Sequence, residues 1–317
     1  MPPITAFIPI LRRAAGFAAI FACTAATRAD ELAWLDKFNI AWSSPSKDSS
    51  ESMPCGGGDT GMNVWVENGD LLCYVQRSGS FDENNQYLKL GRVRVRLDPN
   101  PFENGSMFRQ ELRLRDGCVV ITGEKDGLCA TLNVWADVFH PAVHVEVEAS
   151  RPVHATASYE NWRTSELDLP NNDARPRFAC LGWDGYPGKV TRFKDQVDFA
   201  GNNVVFHHRN RDGNLLIDYT IRQQGLEAVR DQIVNTQKGR AFGGLLRGEN
   251  FVAAGTREGK YLLTPFTAWS LRSKQPSAKH HLELISHIAR TNTPAEWQTG
   301  LQQQARRLPP LEEARAK

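Results

Sequence analysis

Arg92-Val93-Arg94-Val95-Arg96-Leu97, followed by Asp98-Pro99-Asn100-Pro101, alternates charged and apolar side chains and then breaks into turn residues. Successive side chains of a strand point to opposite faces, so this run places Val93, Val95 and Leu97 on a core face and three arginines on the other. Three cations on one face could hold an anion. A solvated face, paired with Glu111, Arg113 and their neighbours on an adjacent strand, explains the pattern without one. The same period recurs on both sides, in Asn63–Val66, Leu71–Val75, Glu111–Arg115 and Val143–Glu148. Turn chemistry separates these runs: Glu67-Asn68-Gly69-Asp70, Arg115-Asp116-Gly117 and Lys125-Asp126-Gly127. Short strands at even spacing imply an antiparallel sandwich or barrel rather than alternating β and α units.

The segment from Tyr159 to Val197 is less regular and carries Pro, Asn, Gly and the aromatics Trp162, Trp183 and Tyr186. It reads as an ordered excursion from one sheet. Strand patterns resume at Val204–His208, Leu215–Ile221, Phe242–Leu246, Phe251–Ala254 and His280–Ile288. Thr293-Pro294-Ala295-Glu296-Trp297 is a helix start, with a threonine N-cap and proline at the first helical position. Trp297, Leu301, Ala305 and Leu308 follow at helical spacing until Pro309-Pro310. The final LEEARAK opens another helix with no completed apolar face, which reads as a chain cut short of a next domain.

With 38 basic against 36 acidic residues and no concentrated basic run, nothing supports a nucleic-acid partner. Arg12-Arg13, the apolar run Ala14–Cys23 and the small residues after it have the order of a secretory signal peptide. The run is shorter than the roughly 20 apolar residues a spanning helix needs, so residues 1–29 read as a leader cleaved after Ala29 or Ala26. The expected location is secreted or periplasmic, with no membrane association after cleavage. Phe21 is bulky where a lipoprotein box has a small residue, which makes lipid anchoring at Cys23 the lesser reading. Cys55, Cys73, Cys118, Cys129 and Cys180 then remain. The odd number leaves at least one unpaired thiol, and Cys118 and Cys129 read either as a cross-link or as two free thiols.

Three stretches carry a family resemblance: WSSPSKDSSESMPCGGGDTGMNVWVENGDLLCYVQRSGSFDEN (Trp42–Asn84), LKLGRVRVRLDPNPF (Leu88–Phe102) and FRQELRLRDG (Phe108–Gly117). They resemble the N-terminal domain family known as domain of unknown function 5703, and weaker matches run through YENWR, FHHRN and FGGLLRGENF. Met53–Met62 is more distantly similar to the P-x-G-N-G-x-x-G opening of glycoside hydrolase family 95, a family related to family 65. The resemblance implies a large antiparallel β-sandwich of the super-sandwich, galactose-mutarotase-like type over residues 30–290. It also implies the start of a helical linker over 291–317, leading to an (α/α)6 barrel that this chain lacks. Cys55 and Gly57 depart from that opening, where an aliphatic residue and asparagine are usual, so any role of that asparagine amide is lost.

Glycoside hydrolysis needs two carboxyl groups held about 5 to 10 Å apart across the scissile bond. Asp59, Asp82, Glu83, Glu160 and Asp184 lie in irregular segments, and each reads more readily as a turn cap or rim charge. No catalytic residue is therefore assigned. Gly56-Gly57-Gly58 lacks the lysine of a phosphate loop and reads as a turn before the strand at Val64, with Asp59 bonding the turn backbone. Adjacent histidines on a strand face opposite ways, so neither His207-His208 nor His280-His281 chelates a metal through both rings. No metal or other cofactor is expected. The candidate carbohydrate contacts are Asp82, Glu83, Asn84, Glu160, Trp162, Arg163, Trp183, Asp184 and Tyr186, because flat apolar rings beside polar groups suit a sugar. The expected function is a non-catalytic sandwich that packs on, and shapes the active-site rim of, a barrel. The competing readings are an autonomous carbohydrate-binding protein and a complete small glycosidase.

Overall fold

The computed structural model describes residues 31–169, 189–214 and 216–316. The expected leader, Cys180, Trp183, Asp184 and Tyr186 lie outside them. The chain is mainly β. In order, the strands are β1 (Ile40–Trp42), β2 (Met53–Gly57), β3 (Thr60–Glu67), β4 (Asp70–Arg77), β5 (Gly91–Asp98), β6 (Met107–Arg113), β7 (Cys118–Lys125), β8 (Leu128–Ala136) and β9 (Ala142–Asn161). They continue with β10 (Leu167–Leu169), β11 (Val190–Arg192), β12 (Gln196–Ala200), β13 (Asn203–Arg209), β14 (Arg240–Gly248), β15 (Phe251–Tyr261), β16 (Thr264–Ser273) and β17 (Ser277–Arg290). The α-helices among the described residues are α1 (Ile217–Gln223), α2 (Pro294–Arg306) and α3 (Leu311–Arg315).

Two antiparallel layers share β9. Its first part pairs with β8 and β17 in the layer β1-β6-β7-β8-β9-β17-β14-β13-β12. Its second part, His154–Asn161, pairs with β5 and β16 in the layer β2-β3-β4-β5-β9-β16-β15. Inward residues of both layers, including Val64, Val93, Val134, Val145, Ala157 and Leu284, form one core, as alternation along half-buried strands demands. The ring of Tyr159 stacks on Phe206 with centroids 3.9 Å apart and so joins the layers. A gap between them among the described residues is about 10 Å3 with mostly apolar walls, too small for a sugar.

The arginine strand differs from expectation on its outer face. β5 pairs with β4 and β9, whereas Glu111 stands on β6 in the other layer. The arginines meet acids of their own layer instead: Arg92 and Arg94 bond Glu160, Arg94 and Arg96 bond Asp70, and Arg96 also reaches Glu103. Arg92 is buried, with its guanidinium 3.9 Å from the Tyr261 ring centroid, so this end of the face is not solvated.

Of the run Leu215–Ile221 read as a strand, Ile217–Ile221 is helical, with Leu216 as the N-cap and Leu215 outside the described residues. Thr220 donates through both its backbone N–H and its hydroxyl to the Leu216 carbonyl, while Leu216 and Ile221 are buried. Apolar residues at both ends of so short a run satisfy either period. The glycine run divides: Gly56 and Gly57 belong to β2, and the turn is Gly58-Asp59. Gly58 has φ +58°, and a Cβ on Gly57 would lie 2.7 Å from the Ala136 carbonyl oxygen. Asp59 binds the Arg77 side chain rather than the turn backbone.

α2 lies on the outer face of β14 and β17, with Trp297 and Leu301 buried against Ala241, Leu245 and Ile285. α3 also finds a partner, contrary to the expectation for LEEARAK. Leu311 and Ala314 cover Cys118, Val120 and Trp135, and Arg315 pairs with Glu146. Cys55, Cys73, Cys118 and Cys129 are free thiols. Cys118 sits opposite Trp135 and Cys129 opposite Glu124, at different ends of the β7–β8 ladder, so no cross-link joins them.

Candidate functional site

Loop residues 78–90 return the chain from β4 to β5. Asp82 makes the turn there, its carboxylate accepting the backbone N–H groups of Asn84 and Gln86 at 3.0 and 2.7 Å. Burial, reinforced by neighbouring Glu83, raises the Asp82 carboxyl to about 6. Glu83 points inward to β13, where its carboxylate lies 2.8 Å from Nε2 of His208 and also accepts the Arg211 N–H. The other ring nitrogen of His208, Nδ1, meets Asp195 at 3.0 Å. Asp195 also accepts from Arg163 Nε at 3.0 Å and from the Asn161 amide at 2.7 Å. Asn161 in turn bonds the Tyr159 hydroxyl, which donates to the Leu90 carbonyl.

These groups form a buried chain of alternating charge: Glu83, His208, Asp195, Arg163. Burial alone would lower the His208 pKa, but the two carboxylates on its ring outweigh that and raise it to about 9. Burial would likewise raise Asp195, and Arg163 with His208 instead bring it down to about 2. A charge inside a protein is tolerated when it is paired and hydrogen-bonded, and each member here meets that condition.

Asp82, Glu83, Asn84, Glu160 and Arg163 are thus placed inside, at 0–3% exposure, and bonded within the protein. None of them lines the three open clefts found among the described residues. Trp162 has a different position. It is half-buried in a cleft of about 350 Å3 on the outer face of the β5 layer, with Tyr74, Lys89, Arg92, Arg192, Tyr261, Thr264 and Phe266. Tyr74 and Trp162 stand edge to face, centroids 5.8 Å apart. Lys89 lies 4.2 Å over the Tyr74 ring and has no carboxylate partner among the described residues. Arg192 Nε is buried with no hydrogen-bond acceptor among the described residues, and burial followed by repulsion from Arg163 lowers its pKa. Sequence reasoning chose Trp162 from its polar surroundings but missed Tyr74, Lys89, Arg192, Tyr261 and Phe266. They come from four separate strands and one connecting segment, and only strand pairing brings them together.

The family described as Domain of unknown function (DUF5703) matches residues 41–317. The chain belongs to that family. In this member of DUF5703 the match runs from β1 through both layers to the C-terminal helices. A search of curated proteins finds no match. Among solved structures, one assigned as a kojibiose phosphorylase from the human microbiome is similar at 10% identity and a TM-score of 0.38. The similarity covers 88% of this chain and 36% of that one, so this DUF5703 chain spans about a third of that protein's length.

A second cluster lies on the β8–β9–β17 part of the other layer. His207 and His208 do face opposite ways: His208 enters the charge chain, and His207 stacks on Trp297 at 4.9 Å. His280 bonds the Val153 carbonyl, while His281 points to the opposite face. There it meets His144 of β9, with Nδ1 of His144 and Nε2 of His281 3.0 Å apart and Glu283 beside them.

Proposed function

We propose that this chain is the non-catalytic β-sandwich module of an exported, glycoside-hydrolase-like protein, and that the cleft around Trp162 takes a sugar carrying an acidic group. The similarity of Met53–Met62 to the family 95 opening supports the glycoside-hydrolase context and, with it, packing of the module on an (α/α)6 barrel. The leader-like residues 1–29 support export. A non-catalytic role accords with the carboxylates of Asp82, Glu83 and Glu160, which are buried and bonded within the protein.

The observation that carries the binding reading is the cleft itself. Its aromatic edge and face at Tyr74 and Trp162 suit the C–H surface of a pyranose, and Lys89 and the Arg192 Nε, which have no partner among the described residues, suit a carboxylate on that ring. Arg92, by contrast, is neutralised by Glu160. Affinity electrophoresis through gels holding polygalacturonate or a neutral β-glucan tests both parts. The expected result is retardation by the acidic polymer, lost in Trp162→Ala and weakened at least tenfold in Arg192→Gln. Retardation by neither polymer, or retardation indifferent to Trp162→Ala, would sink the binding reading. Equal retardation by both would remove the acidic preference. The barrel component predicts that a segment encoding a helical barrel follows this one in the gene.

A further inference from the structure

Two cross-strand pairs bring together residues far apart in the chain. β9 and β17 run antiparallel with His144 opposite Glu283 and Glu146 opposite His281. His144, His281 and Glu283 project from the same face, and one ligating atom from each lies within 4.8 Å of the others. His144 Nδ1 and His281 Nε2 are 3.0 Å apart, and the Glu283 carboxylate oxygen Oε1 lies 3.8 and 3.9 Å from them.

We propose that His144 Nδ1, His281 Nε2 and Glu283 Oε1 bind one divalent transition-metal ion of the zinc type, with a fourth position open to solvent. Ligands around a tetrahedral zinc ion, with bonds of about 2.0–2.1 Å, stand roughly 3.3 Å apart. The two imidazoles already have nearly that spacing, and the carboxylate needs an inward shift of about half an ångström. Two nitrogens and one carboxylate oxygen are a ligand set that suits zinc and its neighbours better than magnesium or calcium.

The surroundings fix the ligands as an outer shell does in metal sites. Arg247 Nε donates to Oε2 of Glu283 at 2.5 Å, which leaves Oε1 facing the rings. The indole of Trp135 stacks on His144 at 4.2 Å and 20°, and its Nε1–H is anchored to Glu146 at 2.7 Å. That contact holds the imidazole plane with its Nδ1 toward His281. An entry path exists, because His281 lines an open cleft of about 680 Å3 together with Glu146, Glu148 and Glu249. Glu146 and Glu148 in that cleft are paired with Arg315 and Lys279.

Without metal, one proton joins the two rings. If it sits on His144 Nδ1, metal capture moves it to Nε2 of the same ring, a buried atom with no hydrogen-bond partner. No net proton is gained or lost, but the orphaned N–H keeps the site weaker than a closed four-ligand zinc site. A hydrogen-bonded histidine pair with no affinity for metal is the competing account of the same geometry.

The test uses the chain without a histidine tag, titrated with Co2+ and then Zn2+. The expected result is one Co2+ per chain with visible d–d absorption of a four- or five-coordinate nitrogen and oxygen site, bleached on displacement by one equivalent of Zn2+. His281→Ala, at a half-buried position, and Glu283→Gln should each weaken Zn2+ binding at least tenfold in calorimetry. His140→Ala, outside the cluster, should leave it unchanged. Absence of stoichiometric binding, or binding equal in wild type and His281→Ala, would overturn the assignment. If Glu283→Gln unfolds, His281→Ala decides alone, with its fold checked by circular dichroism.

Discussion

Replacing Asp195 by asparagine isolates the buried charge chain. The substitution keeps shape but removes the charge that holds His208 and Arg163, and it turns an NH2 group toward donors from Asn161, Arg163 and His208. A ring held at about 9 instead of 6.5 corresponds to about 3 kcal/mol of folding free energy, at roughly 1.4 kcal/mol for each tenfold change in proton affinity. His208 and its carboxylates are almost wholly buried, so solvent screening takes little from that figure. The sign follows from the raised value. The contribution is complete below pH 6.5, where the unfolded ring is also protonated, and it is lost as pH rises through about 9. Breaking one partner of a buried pair costs about 3–5 kcal/mol in general. Asp195→Asn is therefore expected to destabilise by about 3–5 kcal/mol at pH 6 and by about half as much at pH 9.5, where only the Arg163 part remains. Urea unfolding followed by tryptophan fluorescence across this pH range measures both values. A loss below about 1 kcal/mol at pH 6, or a loss identical at the two pH values, would refute the reasoning.

Asp82→Asn keeps a carbonyl for the Asn84 and Gln86 N–H groups while removing a carboxyl that ionises reluctantly. Because the folded value of about 6 exceeds the unfolded 3.8, the variant's stability relative to wild type should rise by up to about 3 kcal/mol from pH 3 to pH 8, measured by the same unfolding series. Trp297→Ala should cost about 3–5 kcal/mol, because the indole is fully buried between α2 and the sheet, and thermal unfolding reads this directly. Gly91→Ala should destabilise by about 1–3 kcal/mol, since its Cβ would overlap the ring of Tyr159, which is itself stacked on Phe206. Under native conditions a thiol reagent should label Cys129 first. Cys73 should react only after unfolding, since burial raises its pKa far above that of a free thiol.

Much of the sandwich was legible because one face of nearly every strand is core. Val93, Val95 and Leu97 alternate for that reason, and so do Val143, Val145 and Val147. What a period cannot convey is partner choice. Arg92 answers Glu160, 68 positions on, and the sequence near Arg92 has no mark of it. Leu216–Ile221 was misread because Leu216, Ile217 and Ile221 fit both a strand and a turn and a half of helix. Among the charged candidate sugar contacts, Asp82 and Glu83 lie in the irregular loop 78–90 as read, whereas Glu160 belongs to strand β9 rather than to an irregular segment, and Asp184 lies outside the described residues. A segment's irregularity says nothing about whether its side chains turn inward, as Glu83 does toward His208, 125 positions away. The rule that neighbouring histidines diverge on a strand held for both pairs, but it is silent about a histidine arriving from another strand, which is how His144 reaches His281.

The long strand β9 dictates how the molecule comes apart. Its backbone is the central partner of β8 and β17 on one side and of β5 and β16 on the other. Peeling it away strips both layers at once, so neither has a route to melt while its companion stays whole. Amide protons on Val145 and Ala157, one in each layer, must then exchange with solvent through the same global opening and report a single free energy.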